Sequence, residues 1–410
     1  MRKVAVTGLG VVCAVGNDPA SFFDSLMAGR SGIAGLPCAA GARGATRVAA
    51  QVAFDPTAHF PEPELATLDR FSQFARVAAA QAIADAGLCL AQEDRTRIGV
   101  SLGTGLGGAC TIEDGYRALY GRGAAAVRPM TVLMAMNTAG ASQIALKYAL
   151  EGPNLTYSTA CSSGGIAIGE ACRLIRHGYA DVMIAGGAEA LLTEGALVAW
   201  DALRTLARVD AADPAASCRP FSRDRSGLVL GEGAAIVVLE ASERALARGA
   251  PIHAELIGFG SANDIRHIAR PSIEGQVRSM RAALADAGVA PGNIDYINAH
   301  GTATQVGDRV ETAAIKEVFG DHAYRVPVSS TKAVHGHMMG ATAAAEFVAA
   351  VLAITRRSVP PTAHLRAADP DCDLDYVAEG GRCGLPIRTA MSNSFAFGGS
   401  SAVLVARGFD

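Results

Sequence analysis

The chain contains 410 residues, half of them hydrophobic, and carries a formal net charge of −3 at pH 7. This length exceeds one small core and predicts either two domains or one large duplicated α/β unit. The near-neutral charge argues against a protein that coats nucleic acid, and the high apolar content argues against disorder.

The cysteine pattern and the N-terminal sequence indicate a cytoplasmic protein. An odd number of cysteines without a C-x-x-C pair predicts neither a disulfide framework nor a zinc site and fits a reducing compartment. The cysteines are Cys13, Cys38, Cys89, Cys110, Cys161, Cys172, Cys218, Cys372 and Cys383. The opening MRKVAVTGLGVV predicts a first strand rather than a signal peptide. The nearest approach to a membrane helix starts at Ala341 and is interrupted by Glu346, so we expect a buried amphipathic helix and no membrane insertion.

The predicted elements recur in the same order in two parts of the chain. The first part contains, in order, RKVAVTGLG, the helix FARVAAAQAIADAG, the strands RIGVSLGTG and LTYSTA, the helix IAIGEACRLIRHG and the strand AAIVVLE. The second part contains AELIGFGSAN, MRAALADAG, DYINAHGTAT, VPVSST, ATAAAEFVAAVLAI and SAVLVAR at the corresponding places. Chance recurrence in an alanine-rich chain is the alternative. The shared order predicts two halves, residues 1–250 and 251–410, packed as a pseudo-symmetric layered α/β protein.

Cys161 lies in TACSSGG, where a predicted strand stops and a predicted helix begins. Unpaired N–H groups and the positive end of the helix dipole favour a thiolate there, and the thiolate is the reactive form. Small residues follow the cysteine, so a bulky acyl chain or a cofactor arm can reach the sulfur. A buried packing cysteine is the competing interpretation.

Two histidines occupy similar places in the second half. His300 follows the strand of DYINAHGTAT, and His337 lies in the glycine-bounded turn of STKAVHGHMMGA. Because α/β folds bind ligands at the carboxyl ends of strands, both are candidate site residues, although a lone histidine is more often structural. Lys332 and Glu311 add opposite charges nearby. If they are buried together they would keep each other ionised, whereas surface charges would contribute little.

The run SNSFAFGGSS, which begins at Ser392, brings Phe395 and Phe397 into a glycine-rich turn. Its backbone N–H groups are candidate donors to an oxyanion. A tight hairpin with packed phenylalanines is the alternative.

Five motifs together resemble one known family. TACSSGG, RPFSRDRSGLVLGEGAA, NAHGTAT, STKAVHGHMMGA and NSFAFGGSS resemble the elongating, Cys-His-His type of β-ketoacyl-[acyl-carrier-protein] synthase, found in fatty-acid and type II polyketide synthesis. The resemblance implies a thiolase-like fold with two pseudo-symmetric halves in an α-β-α-β-α arrangement, usually dimeric. It also implies an acyltransferase without a metal or other cofactor of its own, because the phosphopantetheine arm belongs to the substrate acyl carrier protein.

The resemblance supplies roles for the catalytic candidates. It implies an acyl-accepting cysteine, two histidines that promote decarboxylation of a malonyl group, a supporting Lys-Glu ion pair and a phenylalanine gate. These correspond to Cys161, His300, His337, Lys332 with Glu311, and Phe397. The two histidines separate this pattern from the initiating synthases, which pair one histidine with asparagine.

The resemblance also implies residues that bind the substrate. Thr302 and Thr304 resemble residues that bind the phosphopantetheine arm by hydrogen bonds. The other substrate-binding candidates, Phe395, Leu106, Met130, Met134 and Met136, match positions around the acyl pocket. For the methionines, which adapt well to long chains, core filling is an equally strong interpretation.

The sequence departs from the family pattern in two further places. Ser401 replaces an asparagine that many relatives carry after the gate and would alter its hinge. The segment PEPELATL carries two glutamates where many relatives are basic for docking the acidic carrier protein. Arg128, Arg204 and Arg208 are candidate substitutes, with solvated surface arginines as the alternative.

Three functions are consistent with these observations. The first is a fatty-acid elongation synthase acting as a homodimer. The second is a specialised polyketide or polyene ketosynthase paired with a chain-length-determining homologue. The third, a noncatalytic partner subunit, is disfavoured because such subunits typically lack the nucleophile.

Overall fold

A computed structural model describes residues 1–36, 47–378 and 380–409, and Cys38 lies outside these ranges. The strands are β1 (Val4–Cys13), β2 (Ile33–Leu36), β3 (Arg47–Ala50), β4 (Ile98–Gly103), β5 (Asn154–Tyr157), β6 (Val182–Glu189), β7 (Gly233–Ala241), β8 (Ala254–Gly260), β9 (Tyr296–Asn298), β10 (Val328–Ser329), β11 (Ser358–Val359), β12 (Arg382–Cys383), β13 (Thr389–Phe395) and β14 (Ser401–Arg407). The helices are α1 (Pro19–Met27), α2 (Glu62–Leu65), α3 (Arg70–Asp85), α4 (Ala109–Arg122), α5 (Thr131–Ala135), α6 (Ala139–Tyr148), α7 (Ser163–Arg176), α8 (Glu194–Ala202), α9 (Ser242–Ala247), α10 (Ile273–Ala287), α11 (Gln305–Phe319), α12 (Lys332–His335) and α13 (Thr342–Arg356).

One large sheet of the described strands has the same order in both of its halves. Outwards from the centre, the first half runs β1-β7-β6-β4-β5 and the second runs β8-β14-β13-β9-β10. In the first half β4 is parallel to β5 and β6, and β7 is antiparallel to β1 and β6. The second half repeats these directions with β9 and β14. A short antiparallel pairing, with Ala5 opposite Glu255, joins β1 to β8. The predicted repeat is confirmed.

Helices cover both half-sheets on their outer faces and also lie between them. On the outer faces, α3 packs on β1, β6 and β7, and α10 packs on β8 and β14. Between the half-sheets, α7 contacts β4, β6 and β14, while α13 contacts β7, β13 and β14. This arrangement is the predicted α-β-α-β-α layering.

Glycines in β1 and β8 let the outer helices approach the sheet closely. A β-carbon on Gly10 would lie 2.0 Å from the carbonyl oxygen of Ala78 in α3. A β-carbon on Gly260 would lie 2.2 Å from the carbonyl oxygen of Ser279 in α10. Glycine is therefore needed in both strands, because each half packs the backbone of its outer helix directly against the first strand of that half.

The central helix α13 is buried on all of its faces from Thr342 to Ile354, rather than amphipathic as the sequence suggested. The cause is its position between two half-sheets, which leaves it without a solvent side. The segment Met339–Arg356 is long and apolar enough to cross a membrane, yet 89% of it is buried inside the protein. Its apolar length is therefore used by the core.

Candidate active site

Cys161 lies in a short turn between a strand and a helix. After β5, the turn Ala160–Ser162 leads directly into α7, and Cys161 is 4% exposed. Ala160 has a φ of +50°, a left-handed conformation that strains a residue other than glycine. The Ser163 hydroxyl accepts the N–H of Thr159 at 2.9 Å and donates to the carbonyl of Ala160 at 2.7 Å, which holds the turn in place.

The structure brings the cysteine and both candidate histidines together. One donor atom of each, among Cys161, His300 and His337, lies within 4.8 Å of the others. The two imidazole rings have centroids 5.6 Å apart and planes at 86°. Cys161 follows β5, His300 follows β9, and His337 lies in the turn after α12, so three segments that are remote along the chain meet at one place.

These three side chains line one cavity of about 290 Å³. Its wall includes residues from both halves and from the loop at 264–271. The predicted site residues that line it are Cys161, His300, His337, Glu311, Thr302, Thr304, Phe395, Phe397 and Arg204. The Thr302 and Thr304 hydroxyls lie 3.1 Å apart and present a polar wall to an extended ligand.

His337 is a neutral hydrogen-bond donor. Its Nδ1 accepts the backbone N–H of Met339 at 3.2 Å and lies 2.9 Å from the hydroxyl of Thr342, so the ring hydrogen lies on Nε2. Nε2 has no hydrogen-bond partner in residues 1–36, 47–378 and 380–409. Burial, together with the charge of Lys332, holds the pKa of His337 well below its usual range. The ring therefore offers an N–H to a bound molecule at neutral pH.

His300 has a similar environment. Nζ of Lys332 lies 3.4 Å from its Nδ1 and also donates to its backbone carbonyl. An ammonium group only donates, so this contact leaves the ring hydrogen on Nε2. Burial, the Lys332 charge and His337 hold the pKa of His300 well below its usual range. Both imidazoles are therefore neutral.

The predicted ion pair of Lys332 with Glu311 is wrong in its acidic member. The fully buried Glu346 of α13 lies 2.5 Å from Nζ of Lys332 and forms the ion pair. The carboxylate of Glu311 instead accepts the backbone N–H groups of His300 and Gly301, each at 2.8 Å. Because these bonds occupy Glu311, it orients the backbone at His300, while Glu346 compensates the buried ammonium.

Burial raises the pKa of the Cys161 thiol to about 11, against the opposing influence of the Phe397 N–H, the Lys332 charge and its own N–H. This differs from the sequence-based expectation of a favoured thiolate, because loss of solvent disfavours the anion. The N–H groups of Cys161 and Phe397 both point to the sulfur. They therefore lie where the oxygen of a thioester on that sulfur would develop negative charge.

The Phe397 segment connects β13 to β14 by a tight turn that packs on a neighbouring loop. The N–H of Gly398 donates to Ile268 at 2.7 Å, and Gly399 has a φ of +89°. A β-carbon on Gly399 would lie 2.1 Å from the carbonyl oxygen of Asp264, so only glycine fits there. Ser401 donates to the carbonyl of Ala262 at 2.8 Å and so ties the end of the turn to the loop.

Several predicted residues lie away from this cavity. Met134 is buried at 3% exposure, whereas Met130, Met136 and Leu106 are 36%, 47% and 50% exposed, and none of these four lines the cavity. Arg208 is exposed, and Arg128 lies in a separate depression. Among the predicted docking arginines, Arg204 alone lines the cavity itself.

The acidic segment before α3 has a structural use. Glu64 pairs with Arg76 at 2.6 Å and lies 3.8 Å from Lys147. Arg76 is itself buried, and its guanidinium lies over the ring of Phe60. This carboxylate therefore compensates a buried arginine.

Sequence reasoning missed three residues at the site. Glu346 compensates Lys332, Thr342 contacts the His337 ring, and Trp200 of α8 stacks on Phe397 with ring centroids 6.0 Å apart. Glu346 left a signal, since a charge inside an otherwise apolar helix must have a partner. Trp200 left none, because nothing in the sequence places α8 beside β13.

Among the described residues, Cys161, His300 and His337 also form a set whose donor atoms lie close enough together to hold a transition metal. A cation there would lie close to the Lys332 ammonium, whose Nζ is 3.4 Å from Nδ1 of His300. The ammonium would repel a cation at this position, which disfavours a resident metal.

Comparison with known proteins places the chain among condensing enzymes. Residues 1–245 match the N-terminal domain of β-ketoacyl synthase, and residues 253–366 match its C-terminal domain. Nodulation protein E of Rhizobium leguminosarum bv. trifolii is 43% identical over 409 residues, 99% of each chain. The 3-oxoacyl-[acyl-carrier-protein] synthase 2 of Coxiella burnetii is 44% identical over 414 residues, 100% of this chain and 99% of that one. The solved ishigamide ketosynthase/chain length factor covers 100% of both chains with a TM-score of 0.90 and 34% identity.

Proposed function

The chain belongs to the β-ketoacyl synthase family, and from that premise we propose that it condenses an acyl thioester held on Cys161 with malonyl-acyl carrier protein in fatty-acid elongation. The product is β-ketoacyl-acyl carrier protein. The observation that carries this proposal is the meeting of one sulfur and two neutral imidazoles around one cavity. The acyltransferase class follows from the same family membership.

In the first step, the Cys161 sulfur attacks the thioester carbonyl of an acyl-carrier protein. A bond forms between Sγ and the acyl carbon, the bond from that carbon to the phosphopantetheine sulfur breaks, and the thiol proton passes to the leaving sulfur. The N–H groups of Cys161 and Phe397 stabilise the oxyanion. Phe397, which lines the cavity and stacks on Trp200, is the side chain that the incoming acyl chain would displace.

In the second step, a malonyl thioester loses carbon dioxide. The bond to the carboxylate carbon breaks, and its electron pair forms an enolate on the thioester. The N–H groups of His300 and His337 stabilise the enolate oxygen, and because both rings are neutral they donate without adding charge. The enolate carbon then attacks the acyl carbonyl, and the Cys161 thiolate leaves and takes up a proton.

Intact-mass measurement tests the proposal directly. The purified chain, mixed with an acyl-acyl carrier protein, should gain one acyl mass, and Cys161→Ala should gain none. Cys172→Ala is the matched control, because Cys172 is also buried and lies on the helix that follows Cys161. An adduct that persists in Cys161→Ala, or that vanishes equally in the control, defeats the assignment.

A specialised ketosynthase is the second candidate function. The relatives named nodulation protein E and 3-oxoacyl-[acyl-carrier-protein] synthase 2 are nearly equally identical to this chain, so identity does not choose between them. Acylation rates with fatty acyl and polyketide acyl carrier proteins discriminate the two. A preference of tenfold or more for a dedicated carrier, about 1.4 kcal/mol, would favour the specialised reading.

We further propose that the acidic carrier protein docks beside the cavity through exposed arginines. Arg204 is the strongest candidate because it is exposed and also lines the cavity, while the exposed Arg208 lies four residues further along the chain. Arg128 would extend the basic surface from its separate depression. Arg204→Glu should raise KM for the carrier substrate with little change in kcat, and an unchanged KM would remove it from the docking surface.

We also propose a dimer, either of two identical chains or with a chain-length-factor-like homologue. Strand β5 ends the sheet, and seven exposed apolar side chains lie on β5, on α4 and α5, or in the loops directly beside these helices. They are Leu106, Ile112, Tyr116, Val132, Leu133, Met136 and Leu155. An apolar edge of this kind is costly in water and favours a partner. Light scattering should give twice the 41.9 kDa chain mass for a homodimer.

We propose the cytoplasm as the compartment and residues 1–250 and 251–410 as the two halves. The buried position of the apolar segment Met339–Arg356 supports a protein that works in solution. The boundary fits the gap between the two family-domain matches. Cell fractionation tests the first assignment, and limited proteolysis near residue 250 tests the second.

A further inference from the structure

Glu189 is a buried carboxylate outside the site described above. It ends β6 at 0% exposure. It accepts the backbone N–H groups of Gly105 at 2.6 Å, Leu106 at 3.0 Å and Gly340 at 3.0 Å, and lies 3.3 Å from the Thr104 hydroxyl. Among the residues that the structure describes, no lysine or arginine forms an ion pair with this carboxylate. Hydrogen bonds from two chain segments therefore hold the carboxylate in place.

The two segments that Glu189 joins come from different halves of the fold. Gly105 follows β4 in the first half, while Gly340 lies in the turn between His337 and α13 in the second. Their backbones touch, because a β-carbon on Gly340 would lie 2.5 Å from the Cα of Thr104. A β-carbon on Gly105 would lie 2.7 Å from the carboxylate itself. The space between the segments thus admits the carboxylate and little else.

Each segment is one short step from a reacting group. Met339 precedes Gly340, and its N–H donates to Nδ1 of His337 at 3.2 Å, the contact that leaves the ring hydrogen on Nε2. On the other side, the carbonyl of Thr104 lies 3.3 Å from the hydroxyl of Ser163, two residues after Cys161. A displacement of the Gly340 turn would therefore move the His337 ring relative to the sulfur.

We propose that Glu189 is a positioning residue that holds the His337 donor in register with the Cys161 side of the site. The inference deepens the proposed condensation and rests on it. Glu189 acts through the turn, so its loss should weaken enolate stabilisation more than acylation. Acylation relies on the N–H groups of Cys161 and Phe397, which Glu189 does not contact. The Ser163 hydroxyl beside Cys161 is also held by Thr159 and Ala160, so that turn keeps its own support when Glu189 is lost.

The test compares two steps in Glu189→Gln. Acylation of Cys161 is followed by intact mass, and condensation of the acylated enzyme with malonyl-acyl carrier protein is followed by product mass. The amide keeps the shape but replaces one acceptor oxygen with a donor that faces N–H groups. We expect acylation within about twofold of the parent and condensation slower by roughly tenfold to a hundredfold, the effect of a misplaced reacting group.

Glu240→Gln is the matched control. Glu240 is also 0% exposed, lies on β7 beside β6, and accepts from Thr7 at 3.0 Å and Arg248 at 2.7 Å. It should lower the resistance to denaturant while leaving the ratio of condensation to acylation unchanged. The proposal is overturned if Glu189→Gln leaves that ratio unchanged, or if both variants change it equally.

Thr104 provides a second route if Glu189→Gln does not fold. Thr104→Val removes one hydroxyl from the carboxylate, whereas Thr104→Ser keeps it. We expect a smaller fall in the condensation ratio with valine, restored by serine, and no difference between the two would overturn the proposal. Failure of the parent enzyme to acylate at Cys161 would refute the proposed function instead, so the two failures are distinguishable.

Discussion

The corresponding strand exits of the two halves carry different chemistry on the same frame. In the first half, β5 leads through the turn Ala160–Ser162 directly into α7, and residues 158–165 contain no charged side chain. In the second half, the equivalent β10 leads through α12 and a second turn before α13 begins. That longer exit holds Lys332 and His337. One copy of the repeat therefore presents the candidate nucleophile at a helix N-terminus, and the other presents one hydrogen-bond donor, His337, near a buried charge.

The difference shows how one fold separates two requirements. The sulfur needs close N–H groups and room for an acyl chain, which small residues supply. The imidazoles need fixed tautomers and low pKa values, which burial and the Lys332 ammonium supply. A buried ammonium needs a counter-charge, and Glu346 provides it from α13.

The largest effect is expected from removing the buried charge in the second half, Lys332. Lys332→Met leaves Glu346 buried without its partner, and we expect a loss of about 3–5 kcal/mol in the free energy of unfolding. Denaturant titration measures it. Lys316→Met, which removes a partly exposed partner of Asp373, should cost under about 1 kcal/mol. Equal losses for both variants would mean that burial does not increase the contribution of the Lys332–Glu346 pair to the free energy of unfolding.

A second variant tests whether the first half carries out acylation and the second half supports condensation. His337→Ala should retain acylation of Cys161 but slow condensation by roughly 10²- to 10³-fold, the usual cost of one lost oxyanion donor. Product mass after mixing with malonyl-acyl carrier protein measures it. His335→Ala is the control, because His335 contacts Thr331 at 2.9 Å and does not line the cavity. Unimpaired condensation in His337→Ala would remove that residue from the second step.

The pH dependence of alkylation tests how strongly burial raises the pKa of Cys161 in the first half. With a thiol pKa of about 11, the thiolate fraction of Cys161 should grow about tenfold per unit from pH 7 to pH 9. Iodoacetamide labelling, read at Cys161 by peptide mass, should accelerate accordingly without a plateau. A plateau below pH 8 would show that the helix N-terminus outweighs burial.

The smallest expected effect lies where the halves meet. Trp200 is the single tryptophan of the chain and stacks on Phe397, so its fluorescence should change when an acyl chain on Cys161 displaces that ring. We expect a change in Trp200 emission on acylation, absent in Cys161→Ala. Phe397→Ala should remove most of the response, and a full response in that variant would place the motion elsewhere.

The sequence predicted those site residues that lie in recognisable motifs at the ends of strands. Cys161 and His300 follow predicted strands, His337 lies in a predicted glycine-bounded turn, and all three belong to motifs that carry the family resemblance. The Lys332 partner was not predictable in the same way. Glu311 and Glu346 are both acidic residues near the site, and the choice depends on which carboxylate the backbone N–H groups at His300 already occupy.

Local pattern and order in the sequence predicted the alternation of strands and helices and the duplication, and the family resemblance of its motifs supplied the candidate nucleophile and its two histidines. Tertiary structure decided that Glu346 pairs with Lys332, that Trp200 faces Phe397 and that Glu189 joins two turns. It also decided the charge state of Cys161, whose pKa depends on how completely the fold excludes water. Each of these depends on distances between remote segments, and such distances exist only after the half-sheets have packed around α7 and α13.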